Sequence, residues 1–138
     1  MSNKDEVTII TGAAGGLGSA VARRFANAGA RVVVVDRSAT PLKTLADEIN
    51  ESGGQALAYV ADLLNFDQLK GMAEAAIKKW GRIDIVLNAA GGTLAMLTRK
   101  DNKALLEQSE EEWDLVVDVN LKGSFNCVRA VAPCMVQQ

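Results

Sequence analysis

The feature that most constrains the fold of this chain is a glycine-rich turn between a β-branched run and an amphipathic helical pattern. The run covers residues 7–10, and the turn after it has the sequence TGAAGGLG at residues 11–18. Glycine tolerates the backbone angles that so tight a turn requires. Because glycine has no side chain, phosphate groups can also approach the backbone amides at the helix N-terminus. In this strand–turn–helix context, the motif predicts a dinucleotide site.

A second apolar run, residues 31–35, ends in Asp36, eighteen residues beyond Gly18. An acidic residue at this place is expected to bind the ribose hydroxyls of adenosine. The carboxylate also favours NAD over NADP, because NADP carries a 2′-phosphate on this ribose. At a distance of about 4 Å and an effective dielectric near 20, the repulsion between Asp36 and each unit of phosphate charge is about 4 kcal/mol. Arg37, the only nearby cation, is expected either to stack on the adenine or to restore part of the NADP affinity.

Strand-like and helical segments alternate along the chain. The strand-like runs begin near residues 7, 31, 55 and 83, and the first three helical segments end at glycines suited to a left-handed cap, Gly29, Gly53 and Gly81. Such alternation predicts parallel strands joined by right-handed crossovers. We therefore expect an α/β fold, a single Rossmann-type domain over residues 1–138. Its doubly wound parallel sheet should have the strand order 3-2-1-4, with helices on both faces.

Four residues close successive apolar runs at intervals of 24 to 26 residues. They are Gly12, Asp36, Asp62 and Asn88. In a parallel sheet all four lie along the carboxyl edge, where open α/β folds bind their ligands. The alternative is that polar residues stand at solvated strand ends by chance.

The last third of the chain combines an irregular stretch with a long helical pattern. Residues 92–108 are expected to form either a wall of a substrate pocket or a surface that packs on a helix. The sequence SEEE at residues 109–112 predicts a capping box. It begins a long helix over residues 109–135, which Pro133 should kink or end.

The composition argues against several classes of function. The 138 residues carry a net charge of −2 and no basic cluster, which argues against binding nucleic acid. There is no histidine, so Ser-His-Asp catalysis and His-ligated metals are excluded, and we expect no metal. The polar start predicts no signal peptide, and no stretch approaches the ~20 apolar residues of a membrane span. The expectation is a cytoplasmic protein without a membrane partner.

Taken together, these motifs resemble the short-chain dehydrogenase/reductase family. The resemblance extends over essentially the whole chain, but it covers only the first half or so of the family's domain. The residues that it implies for cofactor binding are Gly12, Gly15, Gly16, Leu17, Gly18, Asp36, Arg37, Asp62, Leu63, Asn88, Ala89, Ala90 and Gly91. It also implies that Asn120, in the segment DVNLKG, supports a proton relay by holding a water at a local helix distortion.

The resemblance implies a separate role for each part of the cofactor set. Residues 15–17 would face the pyrophosphate, and residues 62–63 would line the adenine pocket. The segment NAAG at residues 88–91 would steady the central sheet and border the nicotinamide ribose. The simpler alternatives are that Asn88 only bonds backbone groups between strands and that Asn120 is merely solvated.

Hydride transfer in the resembled family depends on a Ser and a Tyr-x-x-x-Lys motif. This chain has one tyrosine, Tyr59, in the third strand-like run, and Leu63 follows four residues later. We therefore expect residues 1–138 to be the NAD-binding half of an enzyme that interconverts an alcohol and a ketone, inactive by themselves. One alternative is a non-catalytic NAD-binding module, and another is an interaction protein on a degenerate scaffold.

The resemblance further suggests a homo-oligomer whose interface includes the long helix. The fourth strand-like run, residues 83–87, would be an apolar sheet edge, and such edges favour association. We therefore expect residues 1–138 to be marginally stable alone, or covered by further chain or by another copy.

Overall fold

In the computed structural model, which describes residues 4–98, 100–101 and 103–138, four parallel strands form one sheet. The strands are β1 (Val7–Thr11), β2 (Arg31–Asp36), β3 (Gln55–Val60) and β4 (Ile85–Asn88). The helices are α1 (Gly16–Asn27), α2 (Ala39–Glu51), α3 (Phe66–Trp80), α4 (Leu94–Thr98), α5 (Glu110–Val117) and α6 (Gly123–Val136). The strand order is β3-β2-β1-β4, which confirms the predicted order 3-2-1-4.

The register of the sheet brings the strand ends together. Thr11 at the end of β1 lies opposite Val35 of β2 and Asn88 of β4, and Val35 lies opposite Tyr59 of β3. The turns that follow these strands therefore leave the sheet side by side. This alignment forms the carboxyl edge that the spacing of the strand ends predicts.

Side chains of the sheet alternate between two helical layers. Val7 and Ile9 of β1 pack in a core with α3 and α6, whereas Ile10 packs in a second core with α1 and α2. The helices therefore cover both faces, as predicted. Cys127 lies inside the first core, where burial raises the pKa of its thiol to about 11. It is a neutral, reduced core residue at neutral pH.

Glycine caps end the first three helices as the sequence predicts. Gly29, Gly53 and Gly81 have φ values of +92°, +85° and +80°, in the left-handed region that glycine adopts at low cost. Of the two predicted effects of Pro133, the end of the last helix is wrong, because α6 continues past it to Val136. A kink stays a prediction, since proline removes the hydrogen bond to the carbonyl four residues earlier and its ring crowds that carbonyl.

The long helix predicted over residues 109–135 is divided by a π-helical turn. This turn, Asp118–Lys122, separates α5 from α6 and contains Asn120. The helix distortion that the family resemblance implies at Asn120 is therefore observed. Within the part of the chain that the structure describes, no helix combines the length and hydropathy needed to cross a bilayer.

The fourth strand begins two residues later than the apolar run. Ile83 lies outside the ladder because its N–H donates to Oε1 of Gln138 at 2.7 Å and its carbonyl accepts from Nε2 of the same side chain at 2.9 Å. Ile83, two residues before β4, is therefore bound to Gln138, just after α6, instead of to a neighbouring strand.

Candidate dinucleotide-binding site

A cleft of about 500 Å³ opens at the carboxyl edge of the sheet. Its walls are the turns that follow the four strands, together with α4 and the π-helical turn. Twelve of the residues predicted to bind a cofactor line it: Gly12, Gly15, Gly16, Leu17, Gly18, Asp36, Arg37, Asp62, Leu63, Ala89, Ala90 and Gly91. The structure therefore brings nearly the whole predicted set to one place.

The glycines of the turn after β1 differ in what surrounds them. Gly12 has φ +66°, and a Cβ there would lie 2.6 Å from the Cα of Ala90. A Cβ on Gly18 would overlap the carbonyl oxygen of Gly12, but a Cβ on Gly16 would have no atom within 4 Å. The fold therefore requires glycine at two of these positions, whereas the third keeps space free beside the cleft.

The first turn of α1 presents backbone amides to this space. The helix begins at Gly16, and its N-cap residue Gly15 already donates its N–H to the carbonyl of Gly12 at 3.0 Å. The next amides have no acceptor within the helix, and the first turn has no acidic residue. The positive end of the helix dipole adds to these donors. Gly16 and Leu17 are thus better placed than Gly15 to donate to a phosphate.

Asp36 lies at the end of β2, where two backbone amides orient its carboxylate. Oδ2 accepts from the Ala14 N–H at 3.2 Å, and Oδ1 accepts from the Ser38 N–H at 2.9 Å. A carboxylate has about four acceptor positions, so it can still accept hydrogen bonds from two hydroxyl groups. Arg37 is exposed, and its guanidinium donates to the carbonyl of Leu97 in α4 at 3.4 Å. It therefore connects the β2 side of the cleft to α4.

The turn after β3 presents an acceptor and a donor next to each other. Asp62 accepts the Leu64 N–H at Oδ1, at 2.8 Å, and donates its own N–H to Gln68 at 2.8 Å. Its Oδ2 and the N–H of Leu63 have no partner among the residues that the structure describes, and both residues line the cleft. Adenine carries the complementary pair on one edge, an amino donor beside a ring-nitrogen acceptor.

Thr11 connects β1 to the turn after β4. Its fully buried hydroxyl accepts from the N–H groups of Ala89 and Ala90, at 3.2 and 3.3 Å, and donates to the carbonyl of Leu87 at 3.4 Å. Thr11 belongs to the glycine motif in the sequence, where no role was predicted for it. A hydroxyl residue at the end of a buried strand was the available signal.

Asn88 is the one predicted cofactor residue that does not line the cleft. It is exposed at the end of β4, opposite Thr11, while the two alanines after it line the cleft wall. Among the described residues, Thr11 makes the side-chain hydrogen bonds that join the sheet to this turn.

Asn120 holds the loop after β4 against the π-helical turn. Its amide nitrogen donates to the carbonyls of Gly92 and Val116, at 3.0 and 2.8 Å, and its oxygen accepts from the Gly92 N–H at 3.0 Å. A Cβ on Gly91 would overlap this side chain. Val119, the residue before Asn120, lines the cleft, but Asn120 itself does not. In this structure Asn120 therefore acts as a clamp between two walls of the site.

Nine further residues line the cleft that the sequence did not single out as site residues. They are Ala14, Val35, Ser38, Pro41, Ala61, Leu64, Met96, Leu97 and Val119. Most of them adjoin a predicted residue in the sequence. Met96 and Leu97 come from the irregular stretch 92–108, which therefore contributes to the wall of this cleft. The wall of a substrate pocket that was expected from this stretch stays a prediction.

Comparison with known proteins places this geometry in a family. The family model for short chain dehydrogenases matches residues 6–138. The 3-oxoacyl-acyl-carrier-protein reductase of Thermotoga maritima is 39% identical over 138 residues, which are 100% of this chain and 53% of the relative. The crystal structure of a short-chain type dehydrogenase/reductase from Mycobacterium marinum is 35% identical in sequence and has a TM-score of 0.89. The match covers 99% of this chain and 53% of the Mycobacterium chain.

A third similar protein has a bound cofactor. It is a metagenomic short-chain oxidoreductase solved in complex with NADP, 33% identical in sequence, with a TM-score of 0.83. The match covers 97% of this chain and 58% of the oxidoreductase chain. This chain spans about half the length of the curated relatives that it matches. Its sheet order, glycine turn and matched residues agree with these comparisons, and the chain belongs to the short-chain dehydrogenase family.

Proposed function

We propose that this chain forms the cofactor-binding half of an NAD-dependent oxidoreductase that interconverts an alcohol and a ketone. The observation that carries the proposal is the cleft at the carboxyl edge of the sheet. Free amides of α1, the Asp36 carboxylate and the donor–acceptor pair at residues 62–63 all border it. These groups match, in turn, a pyrophosphate, a ribose and an adenine.

The residues present fit a nicotinamide dinucleotide, which would supply the hydride acceptor or donor when bound. The amides of Gly16 and Leu17 would hold the pyrophosphate. Asp36 would accept hydrogen bonds from the adenosine ribose, and the turn after β3 would bind the adenine edge. The turn at residues 89–91 would border the nicotinamide ribose. Asn88 would contribute through the sheet instead of through direct contact.

The preference for NAD rests on the charge of Asp36. The metagenomic relative was solved with NADP, so family membership alone does not select between the two cofactors. Among the residues described around the carboxylate, Arg37 is the only cation that lines the cleft, and it is turned toward α4. Repulsion between Asp36 and a 2′-phosphate therefore favours NAD.

Exchange of Asp36 for Asn tests this preference. We expect the wild-type protein to bind NAD at least about tenfold more tightly than NADP, and D36N to reduce that ratio by about tenfold, because the amide keeps the shape and removes the charge. D62N is the matched control and should weaken both cofactors equally. Calorimetric titrations of the three proteins with both cofactors give the six dissociation constants. Equal or tighter NADP binding by the wild type contradicts the assignment.

The chemical step needs groups other than those in the cleft. The single tyrosine, Tyr59, lies within β3, and Leu63 follows four residues later, so residues 1–138 contain no Tyr-x-x-x-Lys motif. We propose that these residues bind the cofactor without transferring hydride by themselves. Asn120 would support a proton relay by fixing the π-helical turn next to the cleft. The substrate pocket would use Met96 and Leu97 as one apolar wall.

A non-catalytic NAD-binding module is the second candidate function. It is favoured by the cleft, since groups that match a pyrophosphate, a ribose and an adenine all lie within residues 12–119. A protein that binds NAD but reduces no ketone even with its complete coding sequence would support this candidate. An interaction protein on a degenerate scaffold would bind neither cofactor.

We also propose that the protein forms a homo-oligomer through the outer face of α5 and α6. Large apolar side chains stand exposed along this face: Trp113, Leu121, Phe125 and Val128. Exposed apolar patches of this kind mark association sites. In sedimentation experiments, Phe125→Asp should dissociate the oligomer and Lys122→Ala, at an exposed position next to Leu121, should not. A monomeric wild-type protein contradicts the proposal. A cytoplasmic location stays a prediction from the sequence.

A further inference from the structure

The first turn of α6 contains a buried asparagine that does not line the cleft. Asn126 is 8% exposed, and its amide nitrogen donates to the carbonyl oxygen of Leu63 at 3.0 Å. Asparagine is unfavourable inside a helix, and a buried amide without a partner is costly. The bond therefore gives Asn126 a specific purpose at the turn after β3, 63 residues earlier in the sequence.

The bond from Asn126 adds a contact from a distant helix to a turn whose other hydrogen bonds are local. The Leu64 N–H donates to Asp62 Oδ1 at 2.8 Å, and the Asn65 N–H donates to the Asp62 carbonyl at 3.0 Å. Helix α6 also approaches the turn closely, since a Cβ on Gly123 would lie 3.0 Å from the Cβ of Leu63. The position of Leu63 is thus set by α6 as well as by its own turn.

We infer that Asn126 is a positioning residue for adenine recognition, acting through Leu63. The inference rests on the proposed cofactor function. Leu63 contributes the unpaired N–H beside the free Oδ2 of Asp62, and both must face the adenine edge together. Asn126 holds the carbonyl of the Leu63–Leu64 peptide, and the N–H of the same peptide orients the Asp62 carboxylate. Because hydrogen bonds weaken steeply with angle, rotation of this peptide without its anchor would move Oδ2 of Asp62 out of line with the Leu63 N–H and leave the phosphate and ribose contacts intact.

The experiment compares NAD with its hypoxanthine analogue in the complete protein. Hypoxanthine presents a ring N–H and a carbonyl oxygen where adenine presents an acceptor and a donor. The wild-type protein should therefore prefer NAD by about tenfold or more. In Asn126→Leu, which keeps the size and removes the donor, this preference should fall to about threefold or less. Asn126→Ser, too short to reach the carbonyl, should behave alike and serves if the leucine variant fails to fold.

Asn50 supplies the matched control. Its side chain accepts from the Ala56 N–H at 2.7 Å and donates to the Ala56 carbonyl at 3.3 Å, at the opposite end of β3 from the cleft. Asn50→Leu should lower the melting temperature and leave the preference for adenine unchanged. The preference for adenine over hypoxanthine therefore distinguishes a positioning role from a merely structural one, which would leave this preference unchanged.

The possible outcomes separate the inference from the function on which it rests. If the wild type binds neither dinucleotide, the proposed function fails and the inference falls with it. If the wild type binds both equally, the pairing of adenine with Asp62 and Leu63 is wrong, and so is the inference. If the wild type prefers NAD and both Asn126 variants keep that preference, the function stands and the role of Asn126 is refuted.

Discussion

At the scale of single residues, three glycines of the turn after β1 serve different purposes. Gly12 and Gly18 are required by backbone contacts within the protein, whereas the space beside Gly16 is open to the cleft. Gly16 is also the first residue of α1, where alanine is favoured over glycine by about 0.5–1 kcal/mol. We therefore propose that the role of this glycine is to admit a ligand.

Two alanine variants separate these purposes. Gly16→Ala should leave the free energy of unfolding unchanged or slightly higher and should weaken NAD binding by about tenfold or more, because the added methyl group displaces the phosphate from its donors. Gly18→Ala should lower the free energy of unfolding by about 1–3 kcal/mol through overlap with Gly12. Thermal denaturation and calorimetry measure the two effects. Unchanged NAD affinity in Gly16→Ala contradicts this account.

Asp84, which precedes β4, makes stability depend on pH. Burial raises the pKa of its carboxyl, but hydrogen bonds from the Arg82 guanidinium and the Val7 amide lower it by more, so that it lies below the ordinary value of 3.8. The Val7 amide donates at 2.8 Å and the Arg82 Nε at 2.9 Å. Because the native pKa is depressed, this stabilisation is complete above the ordinary value and is lost as pH falls through the native pKa.

Asp84→Asn tests this linkage. At pH 7 the variant should be less stable than the wild type by about 1–3 kcal/mol, since it loses charge-assisted bonds. The difference should shrink as pH falls below the ordinary carboxyl value. Asp114→Asn, at an exposed position on α5, should change stability little at either pH. A difference for Asp84→Asn that stays constant from pH 7 to pH 3 contradicts the assignment.

Residue positions in the site were predictable where the signal is local. Asp36 was found because it ends an apolar run at a fixed distance from the glycine turn. Thr11 and Asn126 were missed as site residues because their partners lie 78 and 63 residues away in the sequence. A hydrogen bond over such a distance follows from packing, and a single sequence carries no periodic signal for it.

At the scale of elements, the π-helical turn organises two walls of the cleft. Its residue Asn120 makes three hydrogen bonds, two of them to the backbone of Gly92. Helix α6 then begins at Gly123 and supports the turn after β3 through Asn126. Because π-turns often occur at functional sites, the distortion is consistent with a constraint from function.

Asn120→Ala should loosen the loop after β4. Loss of these bonds should speed amide hydrogen exchange at Gly92 and lower stability by about 1–3 kcal/mol. Asn65→Ala is the control, because the Asn65 side chain caps α3 by accepting the Gln68 N–H at 3.2 Å. It should cost about 1 kcal/mol and leave exchange at Gly92 unchanged. Equal exchange at Gly92 in both variants contradicts the role of Asn120.

The elements themselves were largely predictable, with errors at their boundaries. Apolar periodicity and glycine caps located the four strands and the first three helices. The capping box at Ser109 is present, since its hydroxyl accepts the Glu112 N–H at 3.3 Å and its own N–H donates to the Glu112 carboxylate at 3.0 Å. Periodicity alone predicted one helix over residues 109–135, because a single π-turn shifts the helical pattern too little to detect.

At the scale of the whole molecule, the cleft exists because the strands are parallel, so that the turns after all four strands lie at the same edge of the sheet. The strand order was predictable, since right-handed crossovers and alternating elements leave few topologies. The depth of the cleft was not predictable from the sequence, because α4 and the π-helical turn close its far side through contacts between distant segments. We therefore expect cofactor binding to depend on the complete set of turns, with no single motif sufficient.

Calorimetric titration of NAD into the purified, folded protein tests the central claim most directly. The account predicts saturable binding with one NAD per chain, and a loss of affinity of about tenfold or more in Gly16→Ala at unchanged thermal stability. The absence of any binding heat with either oxidised or reduced NAD, at several temperatures, would contradict the account.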